Sequence, residues 1–190
     1  MTEEQTLEAV AYHEAGHFVA GIHFHSLQPS ITIIPNEQEG YLGCVLGEGS
    51  DCFIDSEGNL LPGILEDCEN QICISMAGYI AETKKFNSSK HDPIAKACAG
   101  SDFENVERLA NEICIADSRV EELKLKTGSI ISERWEQVKL LAEMLLTEKR
   151  MDGDAAEIIC EIAAGEKPGE LAVSHYPFLV EAWEKASASA

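Results

Sequence analysis

The chain has 190 residues, 45% of them hydrophobic and 25% charged, which is enough apolar material for one globular core and too much for a disordered chain. Its 14 Lys and Arg against 34 Asp and Glu leave a formal charge of -20, which repels phosphate backbones and anionic headgroups and argues against nucleic acid as a partner. Seven cysteines, an odd number with no Cys-x-x-Cys pair, read as free thiols of a reducing compartment rather than as a disulfide framework or a cysteine zinc site.

The opening MTEEQTLEAV is acidic and lacks the basic and apolar regions of a secretory signal; no stretch has the length of a membrane-spanning helix, so the expectation is a cytoplasmic chain without membrane insertion. From Thr6 to Phe24 the residues Leu7, Val10, Ala11, Phe18 and Ile22 recur at helical spacing. Ser30 to Pro35 is a short β-branched run closed by proline, and Gly40 to Leu46 is a second extended run bounded by glycine, together predicting a small sheet. Residues 48–63 are rich in Gly, Asp and Ser and read as a loop, in which Asp51 and Asp55 lack the spacing of a calcium loop. A helix follows over Ile64 to Thr83, with Leu65, Cys68, Ile72, Met76 and Ile80 on one face. After the loop residues of 87–93, Ser101 and Glu104 have the form of a capping box, opening a helix through Phe103, Val106, Leu109, Ala110 and Ile113. No element is predicted between Ile113 and Ile131. Further helices are predicted over Ile131 to Lys149, over Asp154 to Ala164 and, after a Gly- and Pro-containing stretch, around Phe178 to Lys185. The fold class is mainly α with a small β-sheet (α+β). Residues 1–165 form the expected domain, and 166–190 form a C-terminal extension packed on it or trailing from it.

One stretch carries chemistry: Ala11-Tyr-His-Glu-Ala-Gly-His17. Positions four apart on a helix lie one above the other, so His13 and His17 can aim both imidazoles at one ion, with Glu14 beside its open position. Two imidazoles and a third protein ligand leave a fourth tetrahedral place for water, which makes Zn2+ the expected cofactor and Glu14 the expected general base. The plainer alternative is a pair of helical histidines held by ordinary hydrogen bonds. Glu14 directly after the first histidine, and the small Ala15 and Gly16 in mid-motif, favour the metal. A glycine inside a helix costs about 1 kcal/mol relative to alanine, so close packing is expected at Gly16, a strand or loop over the site being one candidate.

With these residues in hand, the chain resembles the peptidase domain of the FtsH family of membrane-bound ATP-dependent zinc metalloproteases. Residues 11–17 are similar to that family's zinc helix nearly residue for residue. Ile31 to Pro35 with Gly40 to Gly43 resembles its short strand and the segment that follows. Ala77-Gly-Tyr-Ile-Ala-Glu82 resembles a stretch of its second helix, and Leu141 to Leu146 with Met151 to Asp154 resembles its closing helices; the likeness runs over about residues 7–162. The resemblance implies a third ligand, an aspartate at the start of a later helix. Two alignments compete: one puts Asn105 there and matches the following Val-Glu-Arg, the other puts Asp102 there and keeps the apolar positions Phe103, Val106, Leu109 and Ala110 in step. Asp102 is preferred because an amide replaces the carboxylate in the other, although an acid in the first turn of a helix is favoured by the dipole with no metal at all. Glu82, Glu104 and His91 are fallback ligands. His23 and His25 read as surface histidines, and His175 and Tyr176 carry no assigned role.

The resemblance implies a zinc-dependent metallopeptidase hydrolysing peptides or unfolded protein. The chain has no Gly-x-x-x-x-Gly-Lys phosphate loop, so a separate ATPase, a homo-oligomer and the route of substrate entry are open questions. The alternative is a catalytically silent FtsH-peptidase-like interaction or regulatory module, and a third reading is a hydrolase of some bond other than the peptide.

Overall fold

The computed structural model describes residues 3–36, 38, 42–46, 62–87 and 100–189. Its elements are α1 (Glu3–His23), β1 (Ser30–Thr32), β2 (Cys44–Leu46), α2 (Ile64–Phe86), α3 (Gly100–Glu112), α4 (Asp117–Glu133), α5 (Trp135–Glu148), β3 (Arg150–Asp152), α6 (Gly153–Ala163), α7 (Glu170–His175) and α8 (Leu179–Ser189). This is the mainly helical architecture with a small sheet that the patterning predicts.

Helix α1 is the axis of the molecule. Its residues from Ala9 to Gly21 are buried without a break, because α2 covers one side and α5 another. A helix buried all round has no solvent face to fill with charge, which accounts for the run of small and apolar residues between the motif's polar groups. The sheet is antiparallel in the order β2-β1-β3. Its register sets Ile31 between Val45 and Met151, and this row faces the core, with Ile31 fully buried. Among the described residues strand β2 lies at an edge of the sheet.

The interior falls into two clusters. The larger joins α1, β1, α5, α6 and α8 through residues such as Phe18, Ile31, Leu141, Met144 and Ile159. The smaller joins α2, α3 and α4 through Cys68, Ile72, Met76, Val106, Leu109 and Leu123. Between them runs the α1–α2 contact. There Gly16 meets α2 so closely that a Cβ on it would lie 2.6 Å from the Ala77 carbonyl oxygen and 2.7 Å from the Ala81 Cβ. The close packing expected at Gly16 is therefore supplied by a helix and not by a strand or loop.

Other boundaries move as well. The stretch left unassigned holds α4, whose buried Leu123, Thr127, Ile130 and Ile131 form a helical stripe interrupted by a threonine. The helix predicted from Ile131 divides at Arg134, so Ile131 lies in the last turn of α4 and Trp135 opens α5. Leu65 is largely exposed and Phe103 half exposed, away from the faces of which their spacing makes them members. The segment after residue 165 shares the core: Leu179 and Ala182 of α8 are fully buried, and the Tyr176 hydroxyl donates to Asp152 at 2.9 Å. Cys68, Cys73 and Cys160 are buried, Cys44 is half-buried and Cys114 exposed, while Cys52 and Cys98 lie outside the described residues. No helix among the described residues is long and apolar enough to cross a membrane.

Candidate metal centre

The fold brings His13 and His17 of α1 together with Asp102 of the first turn of α3. The Nε2 atoms of the two histidines are 3.0 Å apart, and Asp102 Oδ2 lies 3.0 Å from His13 Nε2 and 3.2 Å from His17 Nε2. Among the described residues this is the one cluster of such side chains with its donor atoms all within 4.8 Å of one another. Metal–ligand bonds of about 2.0–2.2 Å at tetrahedral angles put neighbouring ligand atoms about 3.3–3.5 Å apart. The observed triangle is within a few tenths of an ångström of that size.

The outer ring nitrogens fix the tautomers. His17 Nδ1 donates to the Ile74 carbonyl at 2.7 Å, and His13 Nδ1 donates to Glu82 Oε2 at 3.3 Å. Both partners accept only, so each outer nitrogen holds its proton and each Nε2 faces the centre, where it can take up either a proton or a metal ion. This is the orienting arrangement that metal-bound histidines use. Helix α2 supplies it from Ile74, Gly78 and Glu82, three positions spaced by four and therefore stacked on one helix face. At the middle position, a Cβ on Gly78 would collide with His17 Nε2 and lie 2.8 Å from the Cδ2 and Nε2 of His13. The space beside the two nitrogens thus exists because α2 carries hydrogen there.

The electrostatics favour positive charge at this point. Burial works against a charged His13, yet the Asp102 and Glu82 carboxylates that its ring contacts, with Glu14 close by, raise it to about 10. His17 also moves up, burial again opposing and Asp102 prevailing. Burial would lift Asp102, but the two imidazoles hold it far below the usual carboxylate range. A proton or a divalent cation can answer this field, and two imidazoles with one carboxylate form a donor set suited to Zn2+.

Glu14 stands on the same turn of α1, buried, and stays outside the triangle. Burial pushes its carboxyl above the ordinary glutamate value, while the two histidines and the Val45 backbone N–H pull it down. Strand β2 reaches it through Gly43, where a Cβ would lie 2.7 Å from Glu14 Cγ and 2.8 Å from its Oε1. A larger residue at 43 would push the strand off the carboxylate.

The remaining sequence candidates fall elsewhere. Asn105 points away, donating to Ser75 Oγ at 2.8 Å and accepting from Arg108. Glu82 contacts the outer side of His13 and not the triangle, Glu104 is exposed on α3, and His91 lies outside the described residues. His25 is exposed, but His23 is half-buried against the Phe24 ring, which corrects its reading as a surface residue. The orienting role of Ile74 and the necessity of Gly78 were not read from the sequence, although the spacing 74, 78, 82 carries the signal.

Residues 1–116 match the family described as Peptidase family M41. Similar proteins include "ATP-dependent zinc metalloprotease FTSH 5, chloroplastic" of Arabidopsis thaliana, 32% identical over 117 residues that take in 60% of this chain and 15% of that protein. "ATP-dependent zinc metalloprotease FTSH 1, chloroplastic" of Oryza sativa subsp. japonica is 31% identical over the same shares. "ATP-dependent zinc metalloprotease FtsH" of Synechococcus sp. is 28% identical over 115 residues, 60% of this chain and 16% of that protein. The match thus spans about a sixth of the length of these relatives. They are zinc proteins by name, in agreement with the donor set, and the resemblance drawn from residues 11–17 and 77–82 is borne out. With the matched segment running from α1 through α3 and holding the whole His13, His17 and Asp102 cluster, the chain belongs to peptidase family M41.

Proposed function

We propose that this chain is a zinc-dependent metallopeptidase in which His13, His17 and Asp102 hold the ion and Glu14 is the general base. The observation that carries the reading is the convergence of three donor atoms within 3.0–3.2 Å of one another, beside a buried carboxylate that is not one of them. When bound, the ion supplies Lewis acidity to a water molecule and to the scissile carbonyl. The chain's own part is to hold the imidazoles in one tautomer through Ile74 and Glu82, and to move the proton. Glu14 takes it from the attacking water and delivers it to the leaving amine. Its carboxyl is shifted upward by burial, which brings its basicity closer to what a transfer near neutral pH needs.

Substrate enters as an extended chain. Among the described residues strand β2 lies at the sheet edge next to Glu14, so a peptide laid antiparallel against it would bring a backbone carbonyl to the site by main-chain hydrogen bonds alone. Such pairing selects unfolded segments. The relatives' names carry ATP dependence, and an ATPase module, joined to this chain or separate, would supply those segments.

The test is zinc content by elemental analysis together with hydrolysis of an unstructured protein by the wild type and by Glu14→Gln. Stoichiometric zinc, with hydrolysis lost in the variant and zinc retained, is expected. Full zinc with no hydrolysis of any unfolded protein would instead favour a silent interaction module.

A further inference from the structure

A base takes a proton only from about 2.6–3.2 Å away, so Glu14 has to be held as firmly as the ligands. Fixing a glutamate side chain costs about 1.5–2 kcal/mol of rotamer freedom, and some contact must offset it. Helix α2 does not supply that contact, because Ile74 and Glu82 spend theirs on the histidines. The element that lies over Glu14 is strand β2.

Gly43, directly ahead of the strand, makes the close approach. A Cβ there would lie 2.7 Å from Glu14 Cγ, 2.8 Å from its Oε1 and 2.7 Å from Cγ1 of Val10, one turn earlier on α1. Gly43 is not in the left-handed region, so glycine is needed for nearness and not for its backbone freedom. Further along, the Val45 backbone N–H faces the Glu14 carboxylate and favours its charge. The strand is itself anchored. Its register with β1 sets Val45 beside the fully buried Ile31, and the Val45 side chain packs on the larger cluster. The sheet therefore fixes β2, and β2 bears on the base.

We propose that Gly43 is a positioning residue for the general base: its bare Cα lets β2 close over Glu14 and brings the Val45 N–H to the carboxylate. The main chain then holds one oxygen and leaves the other for the proton. This inference rests on the peptidase reading of Glu14. Val10 is buried and α1 is enclosed, so a methyl at 43 must lift the strand or swing the carboxylate aside. Ordinary carbon contacts need about 3.5–4.0 Å, which makes that displacement about 1 Å. A misplacement of this size costs on the order of 100-fold in rate. Gly43 supplies no donor to the triangle, so turnover should fall while zinc is kept.

The test compares the zinc-loaded full chain with its Gly43→Ala variant in steady-state hydrolysis of an unstructured protein, alongside zinc content and amide hydrogen exchange by NMR. In Gly43→Ala, kcat is expected to fall by about tenfold or more, with KM within about threefold of wild type and zinc stoichiometry kept. The Val45 amide is expected to exchange about tenfold faster or more in Gly43→Ala and in Glu14→Ala. It should keep its wild-type rate in Glu14→Gln, which retains an acceptor. If circular dichroism shows Gly43→Ala to be unfolded, the two Glu14 variants decide. A kcat within about threefold of wild type, a loss carried by KM or by zinc, or Val45 exchange indifferent to Glu14→Ala would overturn the proposal. A wild type that hydrolyses nothing would overturn the peptidase reading instead, and Val45 exchange would then decide alone whether β2 holds Glu14.

Discussion

Replacing Gly78 by alanine asks whether the space beside the two imidazoles is what makes the site. The added Cβ would sit against His17 Nε2 and 2.8 Å from two atoms of the His13 ring. An ordinary carbon–nitrogen contact needs about 3.5 Å, so His13 must retreat by roughly 0.7 Å and His17 by more. A displacement near 1 Å at a preorganised centre costs on the order of 100-fold, and loss of an orienting partner alone costs 10–100-fold in metal affinity. The expected result is zinc affinity lower by one to two orders of magnitude. Stability of the metal-free chain should change little, since alanine is worth up to about 1 kcal/mol over glycine in a helix and offsets part of the clash. Chelator competition reads the affinity, and thermal melting followed by circular dichroism reads the fold. Gly128→Ala is the control, because a Cβ on Gly128 in α4 would meet nothing within 4 Å. It should raise stability by about 0.5–1 kcal/mol and leave zinc alone. A Gly78→Ala variant with zinc affinity within threefold of wild type would refute the reasoning.

Three more expectations follow from the same geometry. Asp102→Ala should lower zinc affinity sharply while Asn105→Ala, which removes only the Ser75 and Arg108 contacts, should not; the opposite ranking would restore the alternative alignment. Glu82→Gln keeps an acceptor for His13 but loses the charge, so zinc affinity should fall less than in Asp102→Ala, by about tenfold, and unchanged affinity would remove Glu82 from the orienting set. Away from the site, Arg119 holds the Glu69 carboxyl below the ordinary value of 4.5 through contacts of 2.7 Å to each oxygen. A carboxyl lowered in the folded state adds stability above its unfolded pKa and loses it as pH falls through the folded one. Glu69→Gln should therefore narrow the gap between the melting temperatures at pH 6 and pH 3, and an unchanged gap would show the pair to be inert.

Legibility in the sequence followed the strength of local signals. Helix α1 declared itself by its apolar recurrence and His13, Glu14 and His17 by their spacing, since all of that lies within a few turns. Asp102 lies 85 residues beyond His17, and its local chemistry is that of any acid in a first helical turn; only the resemblance singled it out. Strand β3 carries no local signal, because three residues with one apolar member give no period and its pairing with β1 spans about 120 positions of chain. Helix α4 escaped because Thr127 sits in its buried stripe and Leu125 outside it, blurring the pattern. His23 was misplaced for a related reason: nothing in the sequence shows that the chain after Phe24 folds back over the end of α1.

The division of the interior gives the metal centre a mechanical meaning. The side chains of His13 and His17 come from a helix rooted in the larger cluster, and Asp102 from a helix rooted in the smaller one, joined there chiefly to α2. The triangle of donor atoms is thus a rivet across the seam between two hydrophobic bodies, and whatever charge sits at its centre fastens α3 to α1. Occupancy of the centre and cohesion of the two halves then share one control, so conditions that strip the centre would also loosen the packing of α3 against α1.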